Sequence, residues 1–124
     1  ERYPNHDVSR GFARKISAAA TAAADEYAEA TGWNGRFLVE AAELVIQARQ
    51  VLKWSYAHAY YMPEDSQLRT MFEDQQESLE TKTEHLSELI EQPIEEMNVT
   101  HLKNYRKVLA TYLGNLARAW QEYQ

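Results

Sequence analysis

LRTMFEDQQESLETKTEHLSELIE, residues 68–91, decides the fold class. Its six glutamates, Glu73, Glu77, Glu80, Glu84, Glu88 and Glu91, follow one another at steps of three and four, so on an α-helix they line one face. At ~100° per residue, Leu68, Phe72, Leu79, Leu86 and Ile90 cluster within ~20° of Leu79, on nearly the opposite side. One face makes core, and the other is offered to water or to a partner. The pairs Glu73–Glu77, Glu80–Glu84 and Glu84–Glu88 each disfavour the helix by ~0.2–0.5 kcal/mol, and Lys82 stands beyond the edge of the stripe.

The pattern on either side is also helical. No stretch alternates apolar and polar residues for long, and Val, Ile and Thr are sparse beside Ala, Glu, Leu and Gln, so the chain reads as all-α. A first helix is expected from about Asp7 to Ala30, rich in alanine, leaning on its neighbours through Phe12, Ile16 and Tyr27 and closed by Gly32 and Asn34-Gly35. A second, about Gly35 to Tyr61, carries Leu38, Ala41, Val45, Ala48, Leu52 and Ser55 or Tyr56 inward and stops at Pro63. The quoted stretch belongs to a third, about Glu64 to Glu91. A fourth, about Val99 to Tyr123, presents Leu102, Tyr105, Leu109, Tyr112, Leu116 and Trp120 on one side, with Asn98 or Thr100 as its cap. Short connections marked by proline or glycine predict an elongated antiparallel bundle of about four helices. The 124 residues are expected to form one domain, a piece of a longer protein.

Composition narrows the function. Between Glu64 and Glu96 eleven acids stand against two bases, Arg69 and Lys82, a local balance of −9 in a chain whose net charge is −6. Nucleic acid and anionic membranes both require a basic patch, so neither is an expected partner; a basic or amide-rich protein surface suits the chain better. Cysteine is absent, which removes disulfides, thiolate metal sites and cysteine nucleophiles from this segment. With no signal peptide and no apolar run of ~18 residues, the expected location is the cytoplasm or the nucleus.

Catalytic signatures are missing. Carboxylate-bridged metal sites in bundles use glutamate followed three residues later by histidine, but Tyr3, Ser55, Lys82 and Asn98 precede His6, His58, His85 and His101 at that spacing. No His-x-x-x-His pair, phosphate loop or dinucleotide fingerprint occurs. The rings of Trp54, Tyr56, Tyr60 and Tyr61 read as core and bundle-end packing, some of them showing an edge to solvent.

Residues 52–62, LKWSYAHAYYM, followed by Phe72-Glu73, Gln76, Leu79-Glu80, Thr83-Glu84, Leu86-Ser87 and Glu91, resemble the Ariadne domain of RING-between-RING ubiquitin ligases. The resemblance is densest from Phe37 to Glu91, and Asn5-His6 and Phe12 resemble the start of that family's first long helix. It implies a helical bundle, not itself an enzyme, that folds back on the catalytic second RING of the same chain and blocks the cysteine that carries ubiquitin. Release is implied when a neddylated cullin–RING ligase binds. Zinc would belong to upstream RING modules, and a ubiquitin-conjugating enzyme would be met only through the first RING. The implied inhibitory contacts are Phe12, Glu80 and Glu91; the position after the aromatic is often acidic in that family and is Ala13 here. The competing expectation is a free-standing helical adaptor that binds a partner through its acidic face.

Overall fold

The computed structural model describes residues 6–63 and 66–123, and the described residues contain helices and no strand. Helix α1 spans His6–Thr31, α2 Arg36–Ala59, α3 Gln67–Ile90 and α4 Val99–Tyr123, with one turn of 3-10 helix at Ile94–Glu96 between the last two. The ends follow from local chemistry. Gly32, at φ +78°, closes α1 in the left-handed region that glycine tolerates, its N–H bonding the Ala28 carbonyl at 2.9 Å. The Ser66 hydroxyl caps α3 by accepting from the Arg69 N–H at 2.9 Å, and Asn98, rather than Thr100, caps α4 by accepting from the His101 N–H at 3.0 Å. Glu64 and Asp65, where the third helix was expected to start, and Asn5 lie outside the described residues.

Contacts between helices fix their directions. Arg49 sits over Phe12, Gly35 abuts Ala24 and Phe37 meets Tyr27, so α1 runs antiparallel to α2. Phe72 with Trp120, Lys82 with Tyr112 and His85 with Tyr105 make α3 and α4 antiparallel. Lys103 over Phe37 and Trp120 against Trp54 make α2 and α4 parallel. The bundle is therefore up-and-down, with α1 laid along α2 and touching the 3-10 turn.

Its core joins Ile16 and Ala20 of α1, Leu38, Ala41, Val45, Ala48 and Leu52 of α2, Phe72, Leu79, Leu86 and Ile90 of α3, and Leu102, Leu109 and Leu116 of α4. Ser55, not Tyr56, takes the inward position on α2. Its hydroxyl donates to the Leu52 carbonyl at 2.8 Å and accepts from the Gln76 amide of α3 at 2.9 Å, so both buried polar side chains are paired.

Two expectations need correction. Leu68 lies outside the core although it shares the apolar stripe of α3, because it sits in the helix's first turn, before the level at which Phe72 meets Trp120. Tyr60 and Tyr61 are exposed, and α2 ends at Ala59 rather than Tyr61. The chain tightens there: the Tyr61 N–H bonds the His58 carbonyl and the Met62 N–H bonds the Ala59 carbonyl, each at 3.1 Å. That turn carries Met62 into the core in place of the tyrosines.

Candidate functional site

All six glutamates of the stripe are exposed. Their α2-facing and α4-facing flanks differ. On the α4 side the Lys82 ammonium lies 5.0 Å from the Tyr112 ring centre, which draws that cation away from the stripe. Arg69 pairs with Glu73 at 2.9 Å and the His85 ring approaches Glu88 at 3.9 Å; among the described residues Glu77, Glu84 and Glu91 make no salt bridge.

On the α2 side, Glu80 accepts a hydrogen bond from the Tyr56 hydroxyl at 2.8 Å. Tyr56 is half-buried, and its hydroxyl is pushed well above the usual tyrosine range, first by burial, then by the bond to Glu80 and by the charges of Glu80 and Glu84. The unfolded chain therefore gives up this proton at lower pH than the folded one, so the interaction is fully present below about pH 10 and is lost as pH rises above it. Tyr56→Phe is expected to flatten the alkaline fall in stability, read by urea unfolding at a series of pH values from neutral to strongly alkaline; parallel curves for the two proteins would exclude the linkage.

Phe12 is half-buried on α1, one face of its ring covered by the Arg49 guanidinium at 3.9 Å. Arg49 and Tyr56 are seven residues apart, which places them within ~20° on α2 and ~10 Å along it. Phe12 and Glu80 consequently flank one face of α2, reached from α1 and from α3. Glu91 is the C-cap residue of α3, its N–H bonding the Ser87 and Glu88 carbonyls. It lies ~16 Å along the helix from Glu80 and within ~20° of it in azimuth, in line but at the far end of the face. The roles of Arg49 and Tyr56 carry no signal in the sequence: their seven-residue spacing puts them on one face of α2, but which neighbouring helix each one meets is not encoded there.

Among the described residues no three His, Asp or Glu side chains stand close enough to hold a metal ion, and no helix is long and apolar enough to cross a membrane. The His58 ring is satisfied by the Trp54 carbonyl at 2.9 Å and packs against the rings of Trp54 and Trp120.

The family model of the Ariadne domain matches residues 26–113, which include Glu80 and Glu91 but not Phe12. The chain is 36% identical over 104 residues to E3 ubiquitin-protein ligase ariadne-1 of Drosophila melanogaster, covering 82% of this chain and 20% of that protein. It is 43% identical over 68 residues to E3 ubiquitin-protein ligase dbl4 of Schizosaccharomyces pombe, covering 55% of this chain and 13% of that protein. With E3 ubiquitin-protein ligase HEL1 of Saccharomyces cerevisiae it shares 41% identity over 58 residues, 47% of this chain and 10% of that protein. The chain thus spans 10–20% of the length of these relatives. No solved structure matches it. With the helical bundle in place and the profile covering most of its length, the chain belongs to the Ariadne-domain family.

Proposed function

We propose that the chain is the non-catalytic regulatory domain of a RING-between-RING ubiquitin ligase, a single 124-residue unit that docks on the catalytic second RING and blocks its active cysteine. A neddylated cullin–RING ligase releases it, in the cytoplasm or the nucleus. The observation that carries this reading is the Tyr56–Glu80 bond on the face of α2 that also bears the Arg49–Phe12 contact: an oriented carboxylate and a partly covered aromatic ring flank one face, ready to meet another domain. The chain has no cysteine, so the thioester step, with its zinc-bound RING modules and its ubiquitin-conjugating enzyme, belongs to other parts of the parent.

Substituting Phe12, Glu80 and Glu91 together with alanine in the full-length ligase should raise discharge of ubiquitin from the charged enzyme. With about 1 kcal/mol from each contact, the closed state weakens by roughly a hundredfold, and discharge should rise by at least about tenfold. Glu77→Ala with Glu88→Ala, on the same stripe but farther from the core, should leave it unchanged. Unchanged discharge in the triple variant would sink the assignment. The exposure of Glu77, Glu84 and Glu88 favours a second reading, an adaptor that binds a basic partner in trans, and capture of such a partner with no change in discharge would support it.

A further inference from the structure

Among the described residues, one large exposed apolar side chain, Trp33, stands at the α1–α2 turn; the other five, Trp54, Tyr60, Tyr61, Leu68 and Met71, gather at the opposite end, around the α2–α3 turn. Tyr60 and Tyr61 are 76% and 81% exposed and form an edge-to-face pair at 5.2 Å. Trp54, Leu68 and Met71 are 41%, 43% and 49% exposed. Trp54 continues inward through Trp120, whose ring it meets at 5.3 Å, to Phe72.

This gathering has a cause in how α3 meets α4. Met71 is eleven residues before Lys82, within ~20° of it, so it lies on the side of α3 that faces α4. Because the contacts Lys82–Tyr112 and Phe72–Trp120 move toward the end of α4 as the α3 number falls, Leu68 and Met71 come level with its final turn, where little of α4 is left to cover them. The support beneath is fixed: Met62 is buried, its carbonyl accepts from the Arg69 guanidinium at 3.0 Å, and Ser66 caps the helix. A surface held in this way needs little ordering on binding.

Charge selects the occupant. Glu73, Asp74 and Glu77 are exposed on the next turns of α3, and Glu122 on the last turn of α4. Of the nearby cations Arg69 is paired with Glu73 and bonded to the Met62 carbonyl and Arg118 is bonded to Asn115, while Lys53 sits beside Trp54 on α2, away from the acids of α3 and α4. A second copy would bring acid against acid, and anionic lipid would be repelled. We propose that this end of the bundle docks a basic amphipathic segment of a partner protein, its apolar anchors on Trp54, Tyr61, Leu68 and Met71 and its lysines or arginines on the acidic rim. The surface is separate from the inhibitory face, since Met71 and Glu80, nine residues apart, point to opposite sides of α3.

The test titrates the isotope-labelled chain with a helical Leu/Lys peptide of about 18 residues, with its Leu/Glu counterpart and with phosphatidylserine vesicles. The Leu/Lys peptide should shift the amides of Tyr60, Tyr61, Leu68 and Met71 and the Trp54 indole in a saturable way, while the other two probes leave them in place. Leu68→Ser with Met71→Ser, both at exposed positions, should weaken binding by about tenfold or more while the remaining resonances report an intact fold. Shifts centred on Glu80 to Glu88, equal binding of the Leu/Glu peptide, a response to vesicles, or changes with protein concentration alone would each overturn the proposal, the last by revealing a second copy.

Discussion

Phe72→Ala is expected to destabilise the chain by about 3–5 kcal/mol, the range for removing a fully buried aromatic ring. Phe72 is 1% exposed, and its ring lies 5.9 Å from Trp120, which in turn meets Trp54 and His58. Truncation therefore removes buried apolar area and also the ring against which Trp120, the centre of that cluster, packs. Structure around the site can collapse only partly, because Phe72 is held between α2 and α4 by a helix whose own backbone is fixed by Ser66 and by the Ser55–Gln76 bond. Thermal unfolding should shift down by roughly 10–20 °C. Tryptophan emission should move to longer wavelength as Trp120 gains water. A loss under about 1 kcal/mol would show that the ring cluster is not part of the cooperative core.

Gly35→Ala carries the second large effect, for a different reason. A Cβ at Gly35 would stand 2.5 Å from the Ala24 carbonyl oxygen and 2.7 Å from the Ala24 Cα, and both atoms are backbone, so no rotamer change relieves the clash. Helix α1 must shift off α2, disturbing Ile16 and Ala20, the buried residues by which it joins the core. A destabilisation of about 1–3 kcal/mol is expected from such overpacking. Gly32→Ala supplies the comparison: its φ of +78° makes the substitution strained, but the space around it is open, so the expected cost is only about 1 kcal/mol. Urea unfolding of the two variants should rank Gly35→Ala as the more damaging, and the reverse order would place the tight contact elsewhere.

Periodicity carried most of the fold. The glutamate and apolar stripes of α3, the inward line of α2 and the leucines of α4 all sit on the faces that three- and four-residue spacing assigns them, because one helix face is a property of one helix. What the pattern missed depends on where a neighbouring helix begins or ends. Leu68 belongs to the apolar stripe yet lies outside the core, and the choice between Ser55 and Tyr56 was decided by Gln76 on another helix. Tyr60 and Tyr61 look like core until the tight turn that buries Met62 is known. At the candidate site the acids were legible as acids. The Tyr56 hydroxyl that orients Glu80 and the guanidinium over Phe12 were not, since each is a contact between helices that local spacing does not encode.

The Ser55–Gln76 bond also limits how a partner can work on this domain. Both groups are buried among apolar neighbours, so sliding α3 along α2 by a fraction of a turn would strand the Gln76 amide in oil-like surroundings, at about 1–3 kcal/mol, while the Ser55 hydroxyl keeps its bond to the Leu52 carbonyl. A step of a whole turn, ~5.4 Å, would bring Gln76 level with Val51 or Ala59, which offer its amide no side-chain partner, so the bond holds α3 in one register on α2. Glu80, four residues along α3 from Gln76, inherits that stiffness, so a ligand that pulls on the acidic face either leaves it where it is or moves the helix as a unit.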